Sequence, residues 1–394
     1  MNLKCFYKRI NLILRSFEDS RKSVFEDFHM VLSTKKHIIL TVTSDIVSDQ
    51  RMDRICSSLA NNNYQVTIIC RKTSSTELLP KPYKVIRMNN FFRSGKLFYI
   101  EHNIKLLFLL LFKRFDSVCA IDLDTLVPAF LIGSLKRKPI VYDAHEYFTE
   151  VIEVISRPKI QKLWKAIEAW IVPKLSYAYT VSQSIADLYK KEYGTHFELI
   201  RNIAVLEDDD IHTNKDCDLI YIGAVNAGRG LEEIIEAIKD TNVTLKVCGN
   251  GDVFDKIKKE VKNNNLEQQV QLLGFVPPHE LKKITKTARI GILILEKQSL
   301  SYYYSLANKF FDYTHAELPQ ILIDFPEYRI LNKEFEVAVL TPNTTTEIKS
   351  AISKLLADDE LYNRLKNNTK QAKRVWNWQN EEKTLLNFYS TIFA

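Results

Sequence analysis

The sequence predicts an α/β protein made of two doubly wound, Rossmann-like domains facing each other across a cleft. Two observations carry that expectation. Short, almost wholly apolar runs alternate with helix-length segments, first from His37 and again from Asp218. Strands apolar on both faces, joined by helical crossovers, are the pattern of buried parallel sheets. Between the two series lies an acidic, aperiodic stretch, residues 203–216, which reads as a linker. Ligands in such sheets sit beyond the carboxyl ends of the strands, where loops feed the next helix.

A chain of 394 residues has room for two or three domains. The expected divisions are an amphipathic extension (1–36), a first Rossmann-like domain (37–202), the linker (203–216), a second Rossmann-like domain (217–375) and a C-terminal helix (376–394) able to pack back on the first domain. Apolar content of 46% and charged content of 26% are those of an ordinary globular protein. Cys5, Cys56, Cys70, Cys119, Cys217 and Cys248 are scattered without a C-x-x-C pair. That suits reduced core thiols in a cytoplasmic protein better than disulfides or a zinc site. Lys8, Arg9 and Arg15 interrupt the N-terminal apolar residues and leave no clean signal-peptide core.

The net charge of +7 is uneven: residues 1–200 hold 30 Lys/Arg against 20 Asp/Glu, or +10, and the remainder 25 against 28, or −3. The first half is therefore expected to face something acidic, either an anionic membrane surface or an acidic acceptor. No nucleic-acid motif occurs, and nucleic acid is not expected as a partner.

Taken in order, residues 1–36 interleave apolar positions with Lys4, Lys8, Arg9 and Arg15, which suits a helix lying on an anionic bilayer or one packed on the domain. Strands are expected at His37–Thr43, Tyr64–Cys70, Tyr83–Met88, Ser117–Ile121, Pro139–Asp143 and Tyr177–Val181. The helices among them are Asp49–Asn62, Leu123–Lys136 and Ser182–Tyr193, the last with Ser182 as a natural N-cap. The apolar run Leu106–Phe112 is too short to span a bilayer and reads either as a buried helix or as a membrane-surface helix. The second series has strands at Asp218–Gly223, Thr244–Gly249, Val270–Val276, Arg289–Leu295, Gln320–Asp324 and Val337–Thr341. Its helices include Leu231–Lys239, Val253–Asn263 and His279–Ala288, and the chain closes with Thr345–Ala357, Asp359–Val375 and Asn380–Phe393.

Seven of the ten glycines fall between Gly223 and Gly291, which points to a phosphate-bearing ligand in the second half. The loop Gly223-Ala224-Val225-Asn226-Ala227-Gly228-Arg229-Gly230 joins a strand to a helix, where amides suit an anion and Arg229 adds a charged fork. Gly249-Asn250-Gly251 repeats the arrangement; a plain turn is the alternative for either loop. Asn308, Lys309 and Asp312 lie where a sugar and a phosphate are within reach, although Lys309 and Asp312 also read as a solvated i,i+3 pair. In the first half, His145 and Glu146 end a buried strand, and Asp49 and Arg51 follow the first strand at the same cleft edge. Asp122 and Asp124 end another strand, with helix capping as their plainer role. Metal-ligand spacing is absent, and no metal is expected.

With these residues in view, the chain resembles a glycosyltransferase of the GT-B fold, family 4, of the type that makes bacterial surface polysaccharides. The resemblance spans about residues 37–394 and rests on Asp49 to Arg54, Asp122 to Leu126, Tyr142 to Glu150, Tyr179 to Ser182, Ile200 to Asn202, Leu273 to Val276 and Ser305 to Tyr313. It implies retaining, metal-independent transfer of a sugar from a nucleotide diphosphate, UDP or GDP, to a lipid-linked or glycan acceptor. The scattered cysteines and the basic first half add the expectation of a cytoplasmic protein, peripheral at the inner face of the membrane. His145, Arg229 and Lys309 would be catalytic. Gly223, Gly228, Gly249, Asn250, Gly251, Phe275, Val276, Asn308 and Asp312 would hold the donor, and Asp49, Arg51, Asp122, Asp124 and Glu146 would face the acceptor. Three departures stand out: Ala224 where the family has arginine, Tyr304 where it has glutamate, and Glu317 where it has glycine. Lys309 is expected to replace the missing diphosphate charge. The alternatives are a catalytically weak or inactive sugar-nucleotide-binding protein of the same fold and, further off, a two-domain epimerase.

Overall fold

The structure, a computed structural model, describes residues 35–207 and 214–394. The amphipathic reading of the N-terminal extension therefore falls almost wholly outside the described residues, as does the middle of the linker.

The first sheet has seven parallel strands in the order β3-β2-β1-β4-β5-β6-β7. They are β1 His37–Thr41, β2 Gln65–Arg71, β3 Lys84–Met88, β4 Ser117–Ile121, β5 Ile140–Ala144, β6 Tyr177–Thr180 and the short β7 Glu198–Leu199. The second has six parallel strands in the order β10-β9-β8-β11-β12-β13: β8 Cys217–Ile222, β9 Leu245–Cys248, β10 Val270–Gly274, β11 Ala288–Leu293, β12 Gln320–Ile323 and β13 Ala338–Thr341. In both, the order reverses beside the first strand of the series, and loops from opposite directions leave a crevice there. Central strands such as β4 and β12 are buried at every residue, as their unbroken apolar runs require. Core residues cover both faces of each sheet. Cys56, Cys70, Cys119, Cys217 and Cys248 are all buried and free.

Caps explain several boundaries. The Asp49 carboxylate accepts from the Met52 amide and starts the helix Gln50–Asn61. Ser182 accepts from the Ile185 amide to start Gln183–Tyr193, which ends at Gly194 with φ +70°. Leu123–Lys136 is not one helix: a 3₁₀ turn, Leu123–Thr125, precedes Leu126–Lys136, following Asp122 at φ +57°. The run Leu106–Phe112 is the end of a longer helix, Gly95–Phe112, buried along one side only. Two helices absent from the sequence reading, Pro158–Ile171 and Pro326–Glu334, both begin with proline in their first turn, a start signal that was available.

The chain end crosses from one sheet system to the other. Trp376 is buried against Phe310, Phe311 and Phe335 of the second half. Two residues on, Trp378 donates its indole N–H to Ser58 Oγ at 3.0 Å, in the first half. The helix Trp378–Phe393 then packs Leu385, Tyr389 and Ile392 into the core of the first sheet. The apposing surfaces are also tied at the cleft. Glu327, fully buried, accepts from the Gln183 and Ser184 amides at 3.1 and 2.9 Å, and Ser182 Oγ donates to the Tyr304 carbonyl at 3.0 Å. The carboxylate of one half thus caps a helix of the other.

Candidate active site

The loops after β5 and β8 and the segment between β11 and β12 meet around a cavity of about 370 Å³ between the two sheets. His145 and Glu146 approach from the first half; Gly223, Ala224, Arg229, Asn308, Lys309 and Asp312 approach from the second. Residues from distant parts of the chain therefore share one wall-to-wall space.

Local packing sets each of them. Tyr313, one position after Asp312, lies over Gly291 so closely that a Cβ there would stand 2.4 Å from its ring. Its hydroxyl shares its one proton between the Ile220 and Ile292 carbonyls and accepts from the Ile222 amide. That lock fixes the helix Asn308–His315 over β8 and β11 and so places Lys309 and Asp312. Lys309 Nζ lies 4.1 Å from the centre of the Tyr221 ring, has no hydrogen-bond partner and is shut off from solvent. Burial, then Arg229, pull its pKa down to about 7, with Asp312 opposing. Burial raises the Asp312 carboxyl to about 6, against Arg54, Lys282 and Lys309. The reading of Lys309 and Asp312 as a solvated surface pair is thus replaced. Arg229 stacks on Tyr302 at 4.7 Å and bonds its hydroxyl at 3.2 Å, while its Nε is buried without a partner. Two cationic groups with unused donors therefore border one cavity, the arrangement that receives an anion rather than a neutral ligand.

On the opposite wall, Asp122 Oδ1 accepts from the His145 and Glu146 amides at 2.9 and 3.4 Å and holds that turn in place. The plainer expectation for Asp122 and Asp124 was helix capping. Neither makes a side-chain cap: Asp122 supports the His145 loop, and Asp124 accepts from Thr43 Oγ1 at 2.7 Å. Burial lifts both carboxyls, Asp124 to about 7. His145 is pushed down to about 4 by burial and by Arg51, so its imidazole is neutral at pH 7. Arg51 is not presented to the cleft. Its guanidinium is buried in a bidentate pair with Asp143 at 2.6 and 2.7 Å, one residue before Ala144 and the His145 turn. Asp49 is spent on its helix cap and on the Ser44 hydroxyl.

The second glycine turn plays a supporting part. A Cβ on Gly249 would stand 1.8 Å from the Gly223 carbonyl, and one on Gly251 would stand 2.3 Å from the Val225 carbonyl. Gly249, Asn250 and Gly251 therefore brace the Gly223–Gly230 loop from behind, with the Val225 amide on the Asn250 carbonyl at 3.0 Å. Gly228, Phe275 and Val276 also lie outside the cavity wall, and Phe275 is 77% exposed. Asp312 additionally borders a neighbouring hollow of about 280 Å³ shared with Leu206, Pro278, Lys282 and His315. Sequence reasoning missed Tyr302, which orients Arg229, and Glu327. The aromatic run 302–304 was a visible signal for the first; nothing local marks the second. Of the departures, Tyr304 turns its ring into the core of the first half. Glu317 adopts φ +58°, the conformation glycine favours, with its carboxylate on Lys373 at 2.6 Å. Among the described residues no cluster of three or more His, Cys, Asp or Glu is placed to hold a metal ion.

Two facing parallel α/β sheets with a shared anion-receptive cavity define the GT-B architecture. Comparison with known proteins agrees. Residues 50–205 match the model of Glycosyltransferase Family 4 and residues 207–372 that of Glycosyl transferases group 1. Together these matches take in most of the chain, which belongs to the family-4-like glycosyltransferases of the GT-B fold. An uncharacterized glycosyltransferase of Methanocaldococcus jannaschii is 23% identical over 166 residues, 41% of this chain and 44% of that relative. The match thus spans less than half the length of that relative. Sucrose-phosphate synthase from Thermosynechococcus elongatus superposes with a TM-score of 0.74 at 15% identity, covering 91% of this chain and 99% of that one. Anabaena HepE in complex with UDP gives 0.70 at 12%, covering 90% and 100%. WaaG, a glycosyltransferase of lipopolysaccharide biosynthesis, gives 0.68 at 13%, covering 88% and 98%. At such identities the superpositions speak for the fold.

Proposed function

We propose that the protein transfers a sugar from a nucleotide diphosphate to a lipid-linked or glycan acceptor in surface-polysaccharide synthesis, with retention of anomeric configuration and without a metal. The observation that supports this reading is the pair of unspent cationic groups, Lys309 Nζ and Arg229, beside Asp312 in one cavity. The diphosphate would lie against Lys309, Arg229 and the Gly223 turn, and Asp312 would accept from the ribose hydroxyls. The base, uracil or guanine, would enter the neighbouring hollow. The UDP bound by HepE favours uracil. As the bond from the anomeric carbon to the diphosphate lengthens, charge accumulates on the departing phosphate. Cations already in place stabilise that charge without reorganisation, which is the role a metal would otherwise fill. The neutral His145, held by Asp122 through its backbone, would hydrogen-bond the reacting sugar, and the acceptor would approach from the Glu146 side. The excess of basic residues in the first half supports an anionic membrane surface as the place of work.

Thermal unfolding with a panel of nucleoside diphosphates, followed by diphosphate release from the matching sugar donors, tests the reading. Stabilisation by one base with donor turnover is expected. Stabilisation without turnover would mark a sugar-nucleotide-binding protein, and no stabilisation by any of them would sink the donor-site assignment.

A further inference from the structure

Gly95–Phe112 carries apolar stripes on two opposite sides, yet it is buried on one side only. Phe98, His102, Leu106 and Leu110 face the core. The opposite stripe, Leu97, Ile100, Ile104 and Phe108, is about half exposed, and Phe112 at the end is 82% exposed. A helix on the surface of a water-soluble domain normally turns polar side chains outward; an apolar outer stripe marks a surface that meets something apolar. The stripe does not stand alone. Tyr99 packs edge-on to Trp164 of the helix Pro158–Ile171, and Phe130 of Leu126–Lys136 packs edge-on to Trp170. These three helices form one layer over the first sheet, and Leu135, Leu163 and Trp170 continue its exposed apolar surface.

The charge of this layer is one-sided. Lys96, Lys105, Lys136, Lys159, Lys162 and Lys165 lie on the three helices, against two acids, Glu101 and Glu168. Lys105 pairs with Glu101, Lys165 with Glu150 outside the layer, and Lys136 with the Leu110 and Lys113 carbonyls, so the charge left for a partner is that of Lys96, Lys159 and Lys162. Neither acid offers free negative charge. Glu168 is fully buried beneath the hydroxyls of Thr149, Tyr189 and Tyr193. Glu101 is taken up by Lys105 and by the Phe91 and Phe92 amides. An apolar stripe among lysines, with no exposed acid, complements an anionic bilayer: the stripe enters the headgroup–acyl boundary and the ammonium groups stay at the phosphates. The helix has 18 residues, about 27 Å at 1.5 Å per residue, and no described helix is long and apolar enough to cross a membrane. It therefore suits lying flat.

We propose that the outer face of these three helices seats the protein on an anionic lipid bilayer, with Leu97, Ile100, Ile104 and Phe108 inserted. Phe148, three residues after His145, packs edge-on to Trp164 of Pro158–Ile171, which ties this helix layer to the segment that follows the His145 turn. The proposal deepens only the membrane part of the function above, and vesicle binding is measured without turnover, so either can fail while the other stands.

The test is cosedimentation of the full chain with phosphatidylcholine vesicles, with and without phosphatidylglycerol, at low and high salt. Binding is expected to the anionic vesicles, to weaken with salt, and to fall by roughly tenfold in the double variant Ile104→Ser/Phe108→Ser. The variant's melting temperature reports folding, and these exposed side chains should leave it unlowered. If that variant melts early, Lys159→Glu/Lys162→Glu, which reverses two exposed charges without touching the core, should show the same loss. Four results would overturn the proposal. The full chain binds neither vesicle; the double variants bind as the parent does; removal of residues 1–34 abolishes binding that I104S/F108S retains. Last, the parent elutes as a dimer that this variant dissolves, with no lipid binding, which would make the face an interface between copies.

Discussion

Replacing Lys309 by methionine should stabilise the ligand-free protein while removing its response to nucleoside diphosphate. The ammonium is shut off from solvent with no hydrogen-bond partner, and its pKa falls from 10.5 to about 7. The folded state therefore binds fewer protons than the unfolded chain between pH 7 and 10.5. The resulting penalty is fully present below pH 7 and vanishes as the pH rises through 10.5. Converted at about 1.36 kcal/mol per decade, it has a ceiling of roughly 4 kcal/mol at pH 7. Relaxation of the site and water entry on charging reduce this to about 2 kcal/mol. The contact with the Tyr221 ring, about 0.5–1 kcal/mol, is lost in the same change. A net gain of about 1–1.5 kcal/mol should raise the melting temperature by a few degrees near pH 7 and by less at pH 10. A bound diphosphate should return the proton to Lys309. Parent affinity should then fall as the pH rises above 7, by up to about tenfold per pH unit, with proton uptake visible by calorimetry in buffers of different ionisation enthalpy. A methionine variant that melts lower, or that diphosphate stabilises as much as the parent, would refute this role for Lys309.

Asp143→Asn should cost about 3–5 kcal/mol, because it strands the buried Arg51 guanidinium, whereas replacing both partners with apolar residues should cost much less; urea unfolding of the single and double variants distinguishes them. Glu327→Ala should remove the cap that one half places on helix Gln183–Tyr193 of the other, at about 1–2 kcal/mol, and loosen the closed arrangement. Small-angle scattering should show an expanded ligand-free molecule; an unchanged profile would assign closure to other contacts. Trp378→Ala should cost about 3–5 kcal/mol, chiefly through the first half, since Trp378 is buried there against Ser58. A loss confined to the second half on limited proteolysis would contradict that placement.

The legibility of the site varied with how local its cause is. The strands could be read to within a residue or two because parallel strands are buried on both faces, and burial writes itself as a continuous apolar run. His145, Arg229, Lys309 and Asp312 were legible because the topology delivers strand-end loops to the crevice. Arg51, Asp122 and Asp124 were placed at the right edge of the sheet, but their partners lie between 23 and 92 positions away, and no local pattern names them. The same holds for Gly249 and Gly251: a glycine announces close approach, but not whether a ligand or another loop is what approaches.

Taken by itself, the order of residues determined two parallel α/β sheets, their buried strands, and the family, since periodicity and motif spacing depend on neighbours along the chain. Only the tertiary structure decided which charges are spent and which are free. Arg51 is neutralised by Asp143, while Lys309 and Arg229 line a cavity and each keep a buried donor without a partner. Likewise it alone revealed that Gly95–Phe112 buries one apolar side and exposes the other. A side chain's pairing and exposure are set by what the rest of the fold packs against it, and that cannot be read along the chain.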